Sequence, residues 1–298
     1  MSQSDKPKPS PNPNALIVVN APEEMQRSAR NLSREGKSIG FVPTMGALHA
    51  GHQSVIERAR KENDIVVVSI YVNPTQFGPG EDFLSYPRTF EADEELCEEA
   101  GANIIFSPEN LYDPGSRAFV EVGELGDVLC GISRPSHFRG VATVVAKLLN
   151  IVRPDRAYFG KKDAQQLVVI RTLVRDLYLG CDVVGCEIVR EPDGLAMSSR
   201  NRYLSPAERR QALAISKALE YCKYRVADGE HDAMKLMEGM AEILQQQPNL
   251  EIDYVALVNA DTLEDLRTLE GDVLVAIAAK VGATRLIDNV QFRDLPPA

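Results

Sequence analysis

The sequence predicts an α/β fold in which a doubly wound parallel sheet is followed by a smaller α+β domain. Apolar segments alternate with helical patterns over residues 15–188, which is typical of a parallel sheet with helices on both faces. Segment 64–72 is almost entirely apolar and rich in β-branched residues, as in strands buried on both sides. After residue 189, two helical patterns precede three strand patterns. The first unit is therefore predicted to be Rossmann-like.

The elements of the first unit follow from the apolar periodicity and from the residues that end each pattern. Gly36 and Gly101 end helical patterns, and segment 107–139 is rich in loop residues but contains one strand pattern. The predicted strands cover residues 15–19, 38–42, 64–72, 103–106, 118–122, 156–159 and 182–189. The predicted helices cover residues 22–35, 51–61, 89–100, 140–152 and 160–178.

In the second unit, segment 205–208 (Ser-Pro-Ala-Glu) has the pattern of a capping box with proline at the first helical position. It predicts a helix that continues to about residue 226. The later elements are a helix over 231–247 and strands over 252–258, 273–279 and 284–290, which we expect to form an antiparallel sheet. We therefore divide the chain into domains 15–188 and 189–298. The first fourteen residues, rich in Pro, Ser, Lys and Asn, are predicted to be a disordered tail.

The composition limits the classes of function. The 298 residues carry 33 Lys and Arg against 43 Asp and Glu, a formal net charge of −10, which disfavours nonspecific binding to nucleic acid or to an anionic membrane. An anionic ligand therefore needs a local basic cluster. The five cysteines are irregularly spaced, as expected for reduced thiols in a cytoplasmic protein. The chain shows no signal-peptide pattern and no apolar run of about 18 residues, so we expect no membrane segment.

Segment 43–52 has the pattern of a phosphate site between a strand and a helix. Its histidines, His49 and His52, stand three residues apart and therefore project from one face of the helix start. The free N–H groups of a helix N-terminus bind phosphate. Two neutral imidazoles beside them could stabilise the charge that develops in phosphoryl or nucleotidyl transfer. Gly51 leaves room for a nucleotide to approach the backbone.

Two other interpretations of the histidine pair are open. In the simpler one, His49 and His52 are ordinary surface or capping residues. In the other they bind zinc, which would need further Cys, His or carboxylate ligands, and the sequence contains no Cys-x-x-Cys or His-Glu-x-x-His pattern. We therefore assign no side chain to a metal.

Other polar residues also follow predicted strands. Asn73, Gln76 and Lys162 each lie just past a strand end, and ligands of doubly wound sheets bind beyond the carboxyl ends of the strands. Lys162 can reach a phosphate held at the following helix start, whereas its neighbour Lys161 is equally explained as a solvated charge. Gln166, one helical turn further on, could bind a hydroxylated substrate or lie at the surface.

Segment 195–202 contains two serines and two arginines between the proposed domains. Such a loop can bind phosphate and close over it, which excludes water, but a solvated linker has the same composition. His137 is ambiguous between loop packing and contact with substrate. His231 is expected to lie at the surface.

At these segments the chain resembles the pantoate–β-alanine ligase family, within the nucleotidyltransferase superfamily that carries a His-x-Gly-His signature. The resemblance extends from about residue 15 to residue 292. The motif at 49–52 would by itself indicate only the superfamily, whereas six blocks in order are specific. These blocks cover residues 43–52, 72–77, 86–88, 137–141, 159–166 and 193–203.

The resemblance implies an ATP-dependent condensation of pantoate with β-alanine to pantothenate, a coenzyme A precursor, with Mg²⁺ present and with AMP and pyrophosphate as products. Since a carboxylate reacts poorly with an amine, it first attacks the α-phosphorus of ATP and forms a pantoyl adenylate. The amine of β-alanine then attacks this mixed anhydride and releases AMP. The resemblance also implies a homodimer whose ligands are small molecules.

The resemblance assigns catalysis to His52, His49 and Lys162, with His52 as proton donor, and it assigns pantoate to Gln76 and Gln166. The residues assigned to ATP are Met45, Gly46, His49, Gly51, His52, Gly160, Lys161, Lys162, Asp163, Val189, Met197, Ser198, Ser199 and Arg200. Those assigned to pantoate and β-alanine are Gln76, Gln166, Asn73 and Tyr86. Within these sets, ribose is assigned to Asp163, adenine to Val189, and a closing phosphate loop to residues 197–200.

The chain departs from the family at Ala50, Lys161 and Ala164, where an acidic residue, Glu and an aromatic residue are common. None of these is a proposed catalytic position. Two other functions stay open: a nucleotidyltransferase that stops at an activated product, and a nucleotide-binding module with a degenerate site. The presence of Lys162, both glutamines and the Ser-Ser-Arg loop argues against degeneration.

Overall fold

The computed structural model describes residues 16–297. Residue 15 of the first predicted strand and the predicted tail 1–14 lie outside the described residues. The strands of the first unit form one parallel sheet in the order β1-β4-β3-β2-β5-β6. They are β1 (Ile17–Val19), β2 (Ile39–Thr44), β3 (Ile65–Ile70), β4 (Ile104–Phe106), β5 (Arg156–Gly160) and β6 (Asp182–Cys186).

Helices cover both faces of this sheet, which confirms the doubly wound fold. The helices are α1 (Pro22–Arg34), α2 (Ala50–Glu62), α3 (Phe90–Glu99), the single turn α4 (Cys130–Ser133), α5 (His137–Val152) and α6 (Ala164–Asp176). The β3 side chains alternate between two cores, because Val67 packs with α1, α5 and α6, whereas Val66 and Val68 pack with α2 and α3. This two-sided burial explains the almost continuous apolar run in the sequence.

The direction of winding changes at β2. From β2 the chain adds β3 and β4 on one side, and it then returns to add β5 and β6 on the other side. The connections that leave β2 and β5 therefore diverge, and a crevice opens at their carboxyl ends. Residues 45–49 follow β2 and residues 161–163 follow β5 at this point of the sheet.

The second unit contains two helices and an antiparallel sheet, as expected. Its elements are α7 (Pro206–Ala227), α8 (Ala233–Gln245), β7 (Leu250–Asn259), β8 (Gly271–Val281) and β9 (Thr284–Leu295), with sheet order β7-β8-β9. The predicted capping box is confirmed, because the Glu208 N–H donates to the Ser205 hydroxyl and the Ser205 N–H donates to the Glu208 carboxylate. The domain boundary at residue 189 stays a prediction.

Both faces of the C-terminal sheet are covered. One face packs against α7 and α8 around side chains such as Leu219 and Leu236. The other face packs against the first unit, where Leu274 contacts the cluster formed by Leu129 and Val168. Within residues 16–297, no helix has both the length and the apolar composition that a transmembrane segment requires.

Several sequence predictions are wrong in detail. Segment 118–122 forms no strand and pairs with no strand of the sheet; instead, the Val120 N–H donates to the Thr143 hydroxyl of α5 at 2.9 Å. Helix α5 begins three residues earlier than predicted. Helix α6 begins four residues later, because Lys161 N–H donates to the Cys186 carbonyl and residues 161–163 form a turn. β6 ends at Cys186, so residue 189 lies in a loop.

Candidate active site

The turn after β2 is built around a buried carboxylate. Asp93 of α3 is only 2 % exposed, and it accepts the backbone N–H groups of Ala47 at 2.9 Å and Leu48 at 2.8 Å. Gly46 has φ 79° and Ala47 has φ 52°. A Cβ on Gly46 would lie 2.8 Å from an Asp93 carboxylate oxygen, so this position requires glycine. The carboxylate thereby fixes the chain that leads into the histidines.

The two histidines cap helix α2 reciprocally. The Gly51 N–H donates to Nδ1 of His49 at 3.1 Å, and the His49 N–H donates to Nδ1 of His52 at 3.3 Å. Since each Nδ1 accepts a hydrogen bond, the proton of each neutral ring is on Nε2. The capping interpretation is therefore correct and also compatible with the functional one, because capping leaves both Nε2–H groups as donors.

Gly51 has a packing role that the sequence does not reveal. A Cβ at this position would lie 2.8 Å from Cε1 and 2.9 Å from Nδ1 of the His49 ring. Any side chain would displace the imidazole. Glycine is thus required here by the histidine itself, in addition to the room that it leaves above the helix start.

Both imidazoles are neutral near pH 7. Burial, together with the nearby His49 and Lys162, lowers the pKa of His52 to about 3. Burial, followed by the charges of Lys162 and Arg202, lowers the pKa of His49 to about 4. The site therefore offers neutral hydrogen-bond donors, while positive charge comes from lysine and arginine.

Because the pKa of His52 is lowered in the folded protein, we expect the free energy of unfolding to depend on pH. Below pH 6.5 the unfolded chain binds a proton at His52 that the folded chain does not bind, so the free energy of unfolding falls as the pH decreases. Compared with His52→Gln, wild type should lose about 1 kcal/mol for each pH unit between 6 and 4. Urea unfolding of both proteins at pH 7, 5.5 and 4.5 measures this difference. A difference that does not change with pH would contradict the lowered pKa.

The histidines open onto a cavity of about 250 Å³ at the carboxyl ends of β2 and β5. Five separate segments of the chain form its wall, within residues 42–55, 76–86, 134–145, 158–166 and 187–200. Of the residues assigned from the sequence, those lining it are Met45, His49, Gly51, His52, Gln76, Tyr86, Gly160, Lys162, Asp163, Gln166, Val189, Met197, Ser198, Ser199 and Arg200. Residues that are more than 100 positions apart in the chain thus face one common space.

Three assigned residues do not line this cavity. Lys161 forms an ion pair with the exposed Glu187, and Gly46 faces the Asp93 carboxylate. Asn73 is 1 % exposed, and its Nδ2 donates to Oε1 of Gln76 at 3.0 Å. Any influence of Asn73 on a ligand therefore passes through the neighbouring glutamine.

The loop at 195–202 forms the opposite wall and is not a free linker. The Ser198 hydroxyl accepts the Arg200 N–H at the start of a 3-10 helix over Ser199–Tyr203. Arg200 forms two bonds to the Asp82 carboxylate, at 3.0 and 2.9 Å. The loop is thereby joined to segment 78–86, which reaches the cavity at Tyr86.

Comparison with known proteins identifies the family. A family model described as pantoate-beta-alanine ligase matches residues 17–291. The chain belongs to the pantoate–β-alanine ligase family. A pantothenate synthetase from Thermotoga neapolitana is 53% identical over 274 residues, which is 91% of this chain and 98% of the relative.

Solved structures of the ligase family share the fold. The crystal structure of pantothenate synthetase from Thermus thermophilus has a TM-score of 0.87 and 44% identity, and it covers 92% of this chain and 98% of its own. A Francisella tularensis pantoate-beta-alanine ligase, solved in complex with beta-gamma ATP and beta-alanine, has a TM-score of 0.74 and 32% identity over 93% of this chain and 97% of its own.

The ligase site also contains residues that sequence reasoning missed. Asp93 is one acidic residue among several in α3, and nothing in that pattern distinguishes it. Arg134 pairs with Glu81 across 53 positions at 2.6 Å. A wider cleft of about 920 Å³ adjoins the cavity, shares Arg134 and His137 with it, and reaches Arg285 of the second unit. Only the fold could reveal these long-range contacts.

Proposed function

We propose that this chain condenses pantoate with β-alanine in an ATP-dependent reaction that forms pantothenate, AMP and pyrophosphate. The main support is the cavity at the switch point of the sheet, where His52, Gln76 and Lys162 come from three separate segments. The match to the pantoate-beta-alanine ligase family over residues 17–291 supports this reaction for the cavity. Pantothenate is a precursor of coenzyme A, so the reaction belongs to cofactor biosynthesis.

The reaction proceeds in two steps that share one site. A pantoate carboxylate oxygen attacks the α-phosphorus of ATP, the bond to the bridging oxygen breaks, and pyrophosphate leaves with the electron pair. The β-alanine amine then attacks the carbonyl carbon of the pantoyl adenylate, loses a proton, and expels AMP. Both steps depend mainly on positioning and on stabilisation of negative charge.

The positively charged and N–H-rich wall is proposed to hold the phosphates. His49 and His52 donate through Nε2, and Lys162 adds a full charge beside them. Ser198 and Arg200 act from the opposite wall, so that the triphosphate lies between two elements. Since Arg200 now pairs with Asp82, phosphate binding would compete with that carboxylate.

The nucleoside and the acid are proposed to occupy the two remaining parts of the wall. Asp163 would bind ribose, because its side chain makes no capping bond to α6 and lines the cavity. Val189 and Met197 would contact adenine. Gln76 and Gln166 would hold the pantoate hydroxyls and carboxylate. The further residues proposed at the ligands are Met45, Gly51, Gly160 and Ser199 for ATP, and Tyr86 near β-alanine. Gly46, Lys161 and Asn73 lie outside the cavity wall and would act on the same ligands only through the turns and side chains beside them.

We propose that Mg²⁺ accompanies the nucleotide. Mg²⁺ keeps several waters and is usually held by phosphate oxygens with one or two carboxylates. The donor set fits this mode, because the carboxylates of Asp163 and Glu187 line the same cavity. The ion would neutralise phosphate charge.

Two further properties are proposals that rest on the family and on the composition. We infer a homodimer, which light scattering of the purified chain would test. We also infer a cytoplasmic protein, in agreement with five cysteines that are all free. Fractionation of cells that express the protein would test this inference.

An omission assay tests the proposed function. AMP and pantothenate should form only when ATP, pantoate and β-alanine are all present, and removal of any one should reduce AMP to background. If AMP appears at the same rate without an amine, the chain is not this ligase and another acceptor takes the activated acid. If pyrophosphate appears without AMP, the chain is a nucleotidyltransferase that stops at the activated acid. If ATP binds but is never cleaved, the chain is a nucleotide-binding module.

A further inference from the structure

His137, which the sequence left without a role, contacts the main chain of Gln76. Its Nδ1 donates to the Gln76 carbonyl at 2.8 Å. Its Nε2 accepts from Nη1 of Arg134 at 3.1 Å. Because a guanidinium can only donate, the imidazole must accept at Nε2, and its single proton is then on Nδ1.

The Arg134 guanidinium, which orients the His137 ring, is held in place by other hydrogen bonds. Arg134 binds the Glu81 carboxylate with two bonds, at 2.9 and 2.6 Å. Its Nη2 also donates to the Gln76 carbonyl, at 3.3 Å. The Gln76 carbonyl therefore accepts hydrogen bonds from both an imidazole and a guanidinium, and these two bonds fix the position of the Gln76 backbone.

The same turn is held from a second side. Gln76 ends a 3-10 turn over Pro74–Gln76. Helix α5, which begins at His137, approaches this turn so closely that a Cβ on Gly140 would lie 2.4 Å from the Thr75 carbonyl oxygen. The Gly140 carbonyl also accepts from Nδ2 of Asn73 at 3.1 Å. The start of α5 is thus a rigid support for the substrate glutamine.

A role for His137 in proton transfer does not fit these contacts. Burial and the charge of Arg134 lower the pKa of His137 to about 4, so the ring is neutral at pH 7. Its proton is bonded to a carbonyl, and its lone pair is occupied by a guanidinium. Neither nitrogen is free to exchange a proton with a substrate.

We propose that His137 is a positioning residue, which together with Arg134 and Glu81 fixes the backbone of Gln76 so that its side-chain amide meets pantoate in one orientation. This inference rests on the proposed function of the cavity. It extends that function, because it assigns pantoate recognition to a partly buried relay that acts through the backbone of Gln76. Loss of the relay should weaken pantoate binding and leave ATP binding unchanged.

Two variants separate the two ring nitrogens. In His137→Asn, the side-chain NH₂ stands near the Nδ1 position and can still donate to the Gln76 carbonyl. In His137→Gln, the amide reaches the Nε2 position and can accept from Arg134, but the bond to the Gln76 carbonyl is lost. We expect the asparagine variant to keep the KM for pantoate within about threefold of wild type, and the glutamine variant to raise it by at least about tenfold.

Three further measurements complete the test. The KM for ATP should be unchanged in both variants, and the pH profile of kcat should keep its shape. Glu81→Ala, which leaves the histidine in place but removes the carboxylate partner of Arg134, should also raise the KM for pantoate. It provides the same test if His137→Gln fails to fold.

The possible outcomes distinguish this inference from the proposed function. Wild type that makes no pantothenate would contradict the function itself. An active wild type with equally impaired asparagine and glutamine variants, or with KM values for ATP and pantoate that rise together, would overturn the positioning role. A pH profile that loses one limb in His137→Asn would indicate proton transfer instead.

Discussion

Replacing His52 with alanine should reduce kcat for pantothenate formation by about a thousandfold. The change removes the Nε2–H donor that we place against the phosphates, in a site where burial strengthens each electrostatic interaction. Turnover is measured with all three substrates at saturation, and circular dichroism checks that the fold is intact. A variant with near-normal activity would exclude His52 from the mechanism.

His52→Gln is the matched control, because the histidine also caps helix α2. A glutamine at the third helical position can accept the N–H of the capping residue, as in an ordinary capping box. An amide that folds back to accept this N–H cannot also extend to the imidazole Nε2 position, so the variant retains the cap but lacks that donor. We expect His52→Gln to be almost as inactive as His52→Ala but more stable. If glutamine restores most of the activity, the main role of the residue is to hold the helix start.

Replacing Lys162 with alanine should lower kcat by about a hundredfold or more. Lys162 lines the cavity, and its charge contributes to lowering the pKa of both histidines. Without it, negative charge that develops on the phosphates would be less well stabilised. The rate of AMP formation at saturating ATP measures this loss, and the KM for ATP should rise as well.

The preceding residue supplies the control for Lys162. Lys161 carries the same charge one position earlier, but it pairs with Glu187 at the surface. Lys161→Ala should therefore change turnover by less than about twofold, because exposed ion pairs contribute little. Equal losses in both variants would show that general positive charge, and not a positioned ammonium, supports the reaction. Lys161 would then belong to the ATP site, as the resemblance had assigned it.

Much of the fold was predictable because apolar periodicity reports burial directly. The parallel strands have apolar residues on both faces, and the capping box at Ser205 marks its helix locally. The false strand at 118–122 shows the limit of this approach. Apolar alternation indicates that a segment is half-buried, but a strand also needs a neighbour with free N–H and C=O groups. Whether the sheet offers one is decided by its overall topology.

The candidate site was predictable where one short segment contains both the structural and the chemical signal. The histidine turn is such a segment, since strand, glycine, histidines and helix follow one another. The supports of the site were not predictable. Asp93 contacts a turn 46 residues away, and Glu81 contacts Arg134 53 residues away. Such pairs depend on where α3 and the loops around Glu81 and Arg134 lie in the fold, and no local pattern specifies those positions.

The apolar contact between the C-terminal sheet and helix α6 constrains how ligands enter. A hinge motion that separates the C-terminal sheet from helix α6 would expose Leu274, Val168 and their neighbours to water. The free-energy cost is about 25 cal/mol for each Å² of apolar surface exposed. Parting segments 78–86 and 195–202 breaks the partly exposed pair of Arg200 and Asp82 and two hydrogen bonds, between Tyr86 and Ser199 and between Tyr203 and Ser85, which costs far less. ATP should therefore enter, and pyrophosphate leave, through local separation of segments 78–86 and 195–202 while the two domains stay in contact. Amide hydrogen exchange should be fastest in these two segments.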